Sequence, residues 1–190
     1  GLHAGLLHGA VIHDETADGD LSGAFAAPAP LATSLGGNTI IGQIGANGNT
    51  GASDGSDADY FQVVVPAGQL IDAITIDNYE STGIFGTASF LGYSNEPITG
   101  QTGDDIQRFL LFNSDSDNIV PIVPPSPFGL SETGALGPGT HRFWLQETGG
   151  GTVDYQLTIN VVPEPSALAL AASFAVGMAM LTMSSRRRRE

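Results

Sequence analysis

The sequence predicts an all-β fold: an antiparallel, jelly-roll-like β-sandwich of seven to nine short strands. Three observations predict it. Between Val153 and Val161, apolar Val153, Tyr155, Leu157, Ile159 and Val161 alternate with polar Asp154, Gln156, Thr158 and Asn160, the period of a half-buried antiparallel strand. The 26 Gly and 11 Pro are scattered without a fixed period, which punctuates many short segments and excludes collagen. No amphipathic helix is legible in residues 11–161, which read as one domain of about 150 residues, long enough to bury a core.

The elements follow in order. Residues 1–10 are apolar and rich in small residues; they read as the end of a signal peptide cut near Ala10, or as an N-terminal arm. Val11 to Asp20 opens the body, with Asp14, Glu15, Asp18 and Asp20 in a Gly-containing turn. Ala26 to Asn38, holding Pro28, Pro30, Gly36 and Gly37, reads as loop. Thr39 to Ile44 is a short strand, and Gly45 to Asp59 a polar loop. Asp59 to Val65 is β-branched and aromatic, and Pro66-Ala67-Gly68 turns the chain, since Pro presets φ and Gly accepts positive φ. Leu70 to Tyr79 follows, so the pair is a hairpin or a corner between two sheets.

Ala88 to Tyr93 and Arg108 to Phe112 are further strands, with polar loop between them. Ile119 to Phe128 carries four prolines and reads as edge or loop. In Thr140 to Gln146, His141, Phe143 and Leu145 share one face, and Arg142, Trp144 and Gln146 the other. Glu147 to Thr152 turns the chain into the final strand.

Composition excludes several functions. There is no Cys, hence no disulfide framework, thiolate metal site or Cys nucleophile. Before Val162 stand 18 acids against Arg108 and Arg142, a charge near −16 that repels phosphate backbones and argues against nucleic acid. No Ser sits in a Gly-x-Ser-x-Gly elbow, and no His pair has zinc spacing. His141 lies on an apolar strand face and reads as a core histidine with a local partner. A carboxylate pair for glycoside hydrolysis is a three-dimensional fact that spacing along the chain does not settle. The expectation is a non-enzyme without a required cofactor.

Two binding chemistries remain. Asp54, Asp57 and Asp59 lie in a Gly-rich loop, and carboxylates at such spacing supply several of the six to eight oxygens calcium takes. The segment is not an EF-hand loop, and capping of turns by the same side chains is the competing reading. Trp144, with Tyr79 and Tyr93, is a candidate aromatic platform for sugar rings, against interior packing as the alternative.

The last 29 residues, 162–190, form a third unit. Pro163 and Pro165 are expected to stop the preceding strand from pairing further and to block a helix, leaving 162–166 extended and exposed. From Ser166 to Ser185 no residue is charged, and about 30 Å of helix over that run would match a bilayer core. Arg186, Arg187, Arg188 and Arg189 then anchor the C-terminus in the cytoplasm by the positive-inside rule, with the body outside.

Pro163-Glu164-Pro165, the single apolar run and the terminal Arg cluster together resemble a PEP-CTERM sorting signal. The resemblance implies export, recognition by an exosortase-type membrane protease, removal of the span at the inner membrane, and release or attachment at the cell surface. It also implies a link to extracellular polysaccharide and biofilm. A permanent single-pass anchor is the alternative.

The body has its own resemblance, over roughly residues 38 to 161. Asp57-Ala58-Asp59-Tyr60-Phe61, Val63-Val64-Val65-Pro66-Ala67-Gly68, the run from Gly137 to Gln146, and Asp154-Tyr155-Gln156-Leu157 are similar to bacterial pre-peptidase C-terminal domains. Those are non-catalytic β-sandwich modules appended to secreted enzymes, some with calcium. No enzyme domain stands in these 190 residues. The expected function is therefore an exported surface or matrix protein. Its alternative is a carbohydrate- or calcium-binding accessory module for an enzyme on another chain.

Overall fold

A computed structural model describes residues 9–45, 57–83, 88–114, 134–148 and 151–164. Among them nine strands form two sheets: β1 (Ala10–Asp14), β2 (Ala29–Leu31), β3 (Gly36–Gly45), β4 (Ala58–Val65), β5 (Gln69–Gly83), β6 (Ser89–Ser94), β7 (Arg108–Phe112), β8 (Gly139–Glu147) and β9 (Gly151–Pro163). A four-residue helix, α1 (Glu15–Asp18), follows β1. One sheet has the order β1-β3-β9-β5 and the other β2-β4-β8-β6-β7.

The strong period-2 reading of β9 places its side chains correctly. Val153, Tyr155, Leu157, Ile159 and Val161 are buried, and they meet Phe61, Val63, Phe143 and Leu145 of the second sheet in one shared core. Phe61 and Phe143 face each other in register and stack with centroids 5.0 Å apart. Pro66-Ala67-Gly68 is the corner between sheets: β4 lies in one and β5 in the other. Gly68 supplies the positive φ of 79°, and Gln69 N–H closes the turn on Pro66 O.

Four expectations are corrected. The sheets are mixed, because β1 pairs parallel with β3 and β2 parallel with β4. Residues 26–38 are not all loop: Ala29–Leu31 forms β2, and Gly36 to Asn38 already belong to β3. β5 runs past Tyr79 to Gly83 with register shifts at Asp72 and Asp77, whose exposed acids sit at the irregularities that let a long strand follow β9. Last, β9 does not stop at Val161. Val162 and Pro163 pair with Leu70 and Gln69, and Glu164 N–H donates to Gly68 O at 2.8 Å. Proline is tolerated there because the β3 ladder ends at the Gly36–Val161 pair, so beyond it β9 has only one neighbour.

A smaller cluster lies on the outer face of the five-stranded sheet. Ala58, Tyr60 and Trp144 are covered there by Ile98 and Ile106, from the loop between β6 and β7. No helix among the described residues is long and apolar enough to cross a membrane. The run 166–185, Pro165, Arg186–Arg189 and the opening residues 1–8 lie outside the described residues.

Candidate metal centre

The acidic turn after β1 is built by local chemistry. Asp14, extended at φ −139°, caps α1: its carboxylate accepts from Thr16 N–H at 2.9 Å and from the Thr16 hydroxyl at 2.6 Å. Gly19, at φ 88°, reverses the chain where a side chain would be strained, which returns Asp20 toward Glu15. Leu21 then anchors the segment in the core. Glu15 reaches across to β3, its Oε2 accepting from Gln43 N–H at 2.7 Å, and Leu21 N–H donates weakly to Oε1 at 3.4 Å.

The second half comes from the opposite sheet. Alternation along the start of β4 turns Ala58 outward and puts Asp57 and Asp59 on the other face. Reciprocal backbone hydrogen bonds between Gly45 and Asp57 tie the end of β3 to this point. Asp59 is fully buried. Its Oδ2 accepts from the Tyr155 hydroxyl at 2.7 Å, whereas its Oδ1 is buried with no partner. Oδ1 of Asp57 is likewise buried without a partner.

Glu15, Asp20 and Asp59 each offer an oxygen, all within 4.8 Å of one another. Opposed oxygens around calcium lie about 4.6–5.2 Å apart, so one ion fits the set. Asp20 is exposed, Glu15 half-buried and Asp59 buried, which makes a site open on one side and closed on the other. Glu15 also lines a cavity of about 470 Å³ over β3 and β9, with Gly42, Gln43, Asp154 and Tyr155.

The electrostatics are those of crowded carboxyls, with His13 near enough to act on Asp20. Burial pushes Glu15 up to about 7, helped by the charges of Asp20 and Asp57 and opposed by the Gln43 and Leu21 amides. Burial and Asp20 push Asp57 up to about 6. Asp59 rises well above the carboxylate range, by burial first and then by the Glu15 charge, and burial raises Asp20 as well. Tyr155 is driven up by burial and by Asp59, so it remains a donor. The donor set is all oxygen, which suits a hard divalent cation rather than zinc or copper.

The expected calcium ligands divide accordingly. Asp59 is at the centre and Asp57 beside it, close enough for its charge to act on Glu15 and Asp59. Asp54 lies outside the described residues. The sequence did not join Glu15 and Asp20 to this cluster, because nothing local links an acidic turn to a loop some forty positions later. The signal was the density of acids around a Gly in both segments.

The other candidates are structural. His141 is 5 % exposed and doubly partnered, Nδ1 with the Tyr93 hydroxyl at 2.9 Å and Nε2 with Gly137 O at 2.7 Å. Trp144 is 7 % exposed, stacked on Tyr60, with its indole N–H on Gln146; Tyr93 is equally covered, and Tyr79 is half-buried against Phe112. Trp144 and Tyr93 present no open ring face for a sugar. Pro163 and Glu164 of the tail motif are the end of β9 and the residue after it. No family model, curated protein or solved structure matches the chain.

Proposed function

We propose that this chain is an exported, non-catalytic surface module whose folded body holds a divalent cation of the calcium class. Glu15, Asp20 and Asp59 ligate it, with Asp57 contributing charge and an oxygen at the rim. The observation that carries the reading is Asp59: a fully buried carboxylate with one oxygen unpartnered, facing two further carboxyls. A buried charge in that position is costly unless paired, and a cation is the partner the donor set suits. A bound ion would also staple the segment around α1 to the opposite sheet. The role is then one of folding and attachment rather than turnover.

The test uses protein stripped with a chelator. Calcium should raise the melting temperature by roughly 5–10 °C at a hundredfold excess over Kd, from about 2.7 kcal/mol of linkage. Magnesium should do less, since it dehydrates reluctantly and demands a tighter octahedron. An unchanged melting temperature at millimolar calcium would sink the cation reading.

Delivery is the second part of the proposal and rests on sequence. Pro163-Glu164-Pro165, the uncharged run 166–185 and Arg186–Arg189 support sorting by an exosortase-type protease at the inner membrane, followed by residence at the cell surface or in its polysaccharide matrix. The mature protein should lack Arg186–Arg189 by intact mass. A mature mass that retains them would instead make the tail a permanent anchor.

A further inference from the structure

The two ends of the body differ in charge. At one end lie the first residues of β3, the last of β4, the corner into β5, the start of β8 and the end of β9. Residues 31–37, 64–70, 134–140 and 161–163, which make up these strand ends and turns, contain no Asp, Glu, Lys or Arg. Leu35 and Val64, two of the exposed large apolar side chains, are here. The acids that come near are Glu164, where the sheet ends, Glu96, which lines a cavity with Gly137 to His141, and exposed Asp72, beside the Ile71–Val161 pair; in the sequence Glu132 stands two positions before Gly134. The opposite end holds Asp14, Glu15, Asp18, Asp20, Asp57, Asp59, Glu147 and Asp154, with Glu80 directly across from Asp154. β9 spans 13 residues between the two ends, about 40 Å.

The tail leaves from the acid-poor end. Pro163 is still paired with Gln69, and Glu164 N–H is bonded to Gly68. Only Pro165 separates this bonded residue from Ser166, where the uncharged run begins. Two residues of fully extended chain reach about 7 Å. There is thus no linker on which the body could swing clear of whatever holds residues 166–185.

We propose that this acid-poor end is a membrane-facing surface, seated on the lipid headgroups around the chain's own span while the acidic end points away. The proposal rests on the reading of 166–185 as a membrane span. Charge favours this orientation: a body near −16 is repelled by anionic lipid. The cluster around Glu15, Asp59 and Asp154 lies eight to nine residues of β9 from Pro163, about 25–30 Å out, so its repulsion is screened over a Debye length of about 8–10 Å. Leu35, Val64, Ala67 and Leu70 offer apolar and small side chains to the interface at no cost in charge burial. The same orientation presents the acidic cluster to the medium, where a divalent cation is met.

The chain has no Cys, so single-cysteine probes are free of background. The unprocessed full-length chain is placed at one copy per nanodisc, in zwitterionic phospholipid with an anionic fraction and a headgroup-attached nitroxide. Fluorophores are carried at Ala67→Cys, on the exposed corner, or at Ala17→Cys, on the exposed face of α1. Quenching at position 67 should exceed that at position 17 several-fold. Ten Gly-Ser residues inserted after Pro165 should bring the two together, without touching the sheet. Equal quenching in the parent chain, or stronger quenching at 17, overturns the orientation while the span reading stands. A chain that fails to enter the discs overturns the span reading and the orientation with it.

Discussion

The Tyr155 hydroxyl donates to Oδ2 of Asp59 at 2.7 Å, and this bond joins the inner faces of the two sheets. It satisfies half of a carboxylate that has no other partner. Tyr155→Phe should therefore cost about 1–3 kcal/mol of stability in chelator-treated protein, measured by denaturant unfolding. Asp59→Asn should behave in the opposite way. The amide keeps the shape and can still accept from Tyr155, but it removes the charge that Glu15, Asp57 and Asp20 repel. The cation-free variant should melt higher than the parent at pH 8, and its calcium response should vanish. A variant that melts lower and still responds to calcium would make Asp59 a structural strut and remove the metal site.

Gly42 lies beneath the same cluster. A Cβ there would stand 2.7 Å from the Tyr155 hydroxyl oxygen and 2.8 Å from Cδ of Glu15. Neither group is free to step aside, since Tyr155 is tied to Asp59 and Glu15 to the Gln43 amide. Gly42→Ala should cost about 1–3 kcal/mol by overpacking. It should also weaken calcium binding by displacing Glu15, as read by calorimetric titration. Intact affinity in a destabilised variant would separate Glu15 from the ion.

The single Trp of the chain reports on the outer face. Trp144 stacks on Tyr60 at 5.6 Å and meets Phe90 edge-on at 4.9 Å, under the loop bearing Ile98 and Ile106. Its emission should be blue-shifted and shielded from acrylamide in the native state, and should move red in one step with the loss of strand signal. Trp144→Ala should cost about 3–5 kcal/mol, as should Phe143→Ala on the inner face. Emission characteristic of a solvated indole would contradict the covered position.

What was legible in the sequence follows from how far each signal reaches. Period-2 alternation is a property of consecutive residues, so β9 and the two faces of β8 were readable down to the buried side chain. The corner at Pro66–Gly68 was readable because Pro and Gly act on their own backbone. Parallel pairing of β1 and β2 was not, because a strand of three to five residues carries no mark of its neighbour's direction. Pro163 misled for a related reason. Whether a missing N–H matters depends on the second neighbour, and β3 has already ended there. The carboxylate cluster was half legible: Asp57 and Asp59 share a short stretch of chain, whereas Glu15 joins them through the Gln43 amide and the pairing of β1 with β3. For the lone Trp144 interior packing was the better reading, and a platform stayed open beside it because its loop cover comes from residues separated from β8 along the chain.

The cluster also fixes the sign of the pH dependence. Glu15 at about 7 and Asp57 at about 6 stand above the ordinary 4.5 and 3.8, and Asp59 and Asp20 are displaced in the same direction. The folded state then holds more protons than the unfolded state between the ordinary values and the raised ones. Stability without cation is full below about pH 4 for these groups and is lost as pH rises through 6 to 7. Asp14 and Asp105 are lowered by hydrogen bonds from Thr16 and from Thr99 and Thr102, so they act in reverse and lose their contribution as pH falls. The cation-free melting temperature should accordingly peak near pH 5 and decline toward pH 8. Calcium displaces the retained protons, so its effect should be largest at pH 8 and small at pH 5. Titrations in buffers of different ionisation enthalpy should show proton release near neutral pH, and Asp59→Asn should flatten the decline. Tyr155 and His13, which also face this end, are controlled by Tyr155→Phe and by His13→Gln. A calcium effect that grew on acidification would contradict carboxylate ligation at this site.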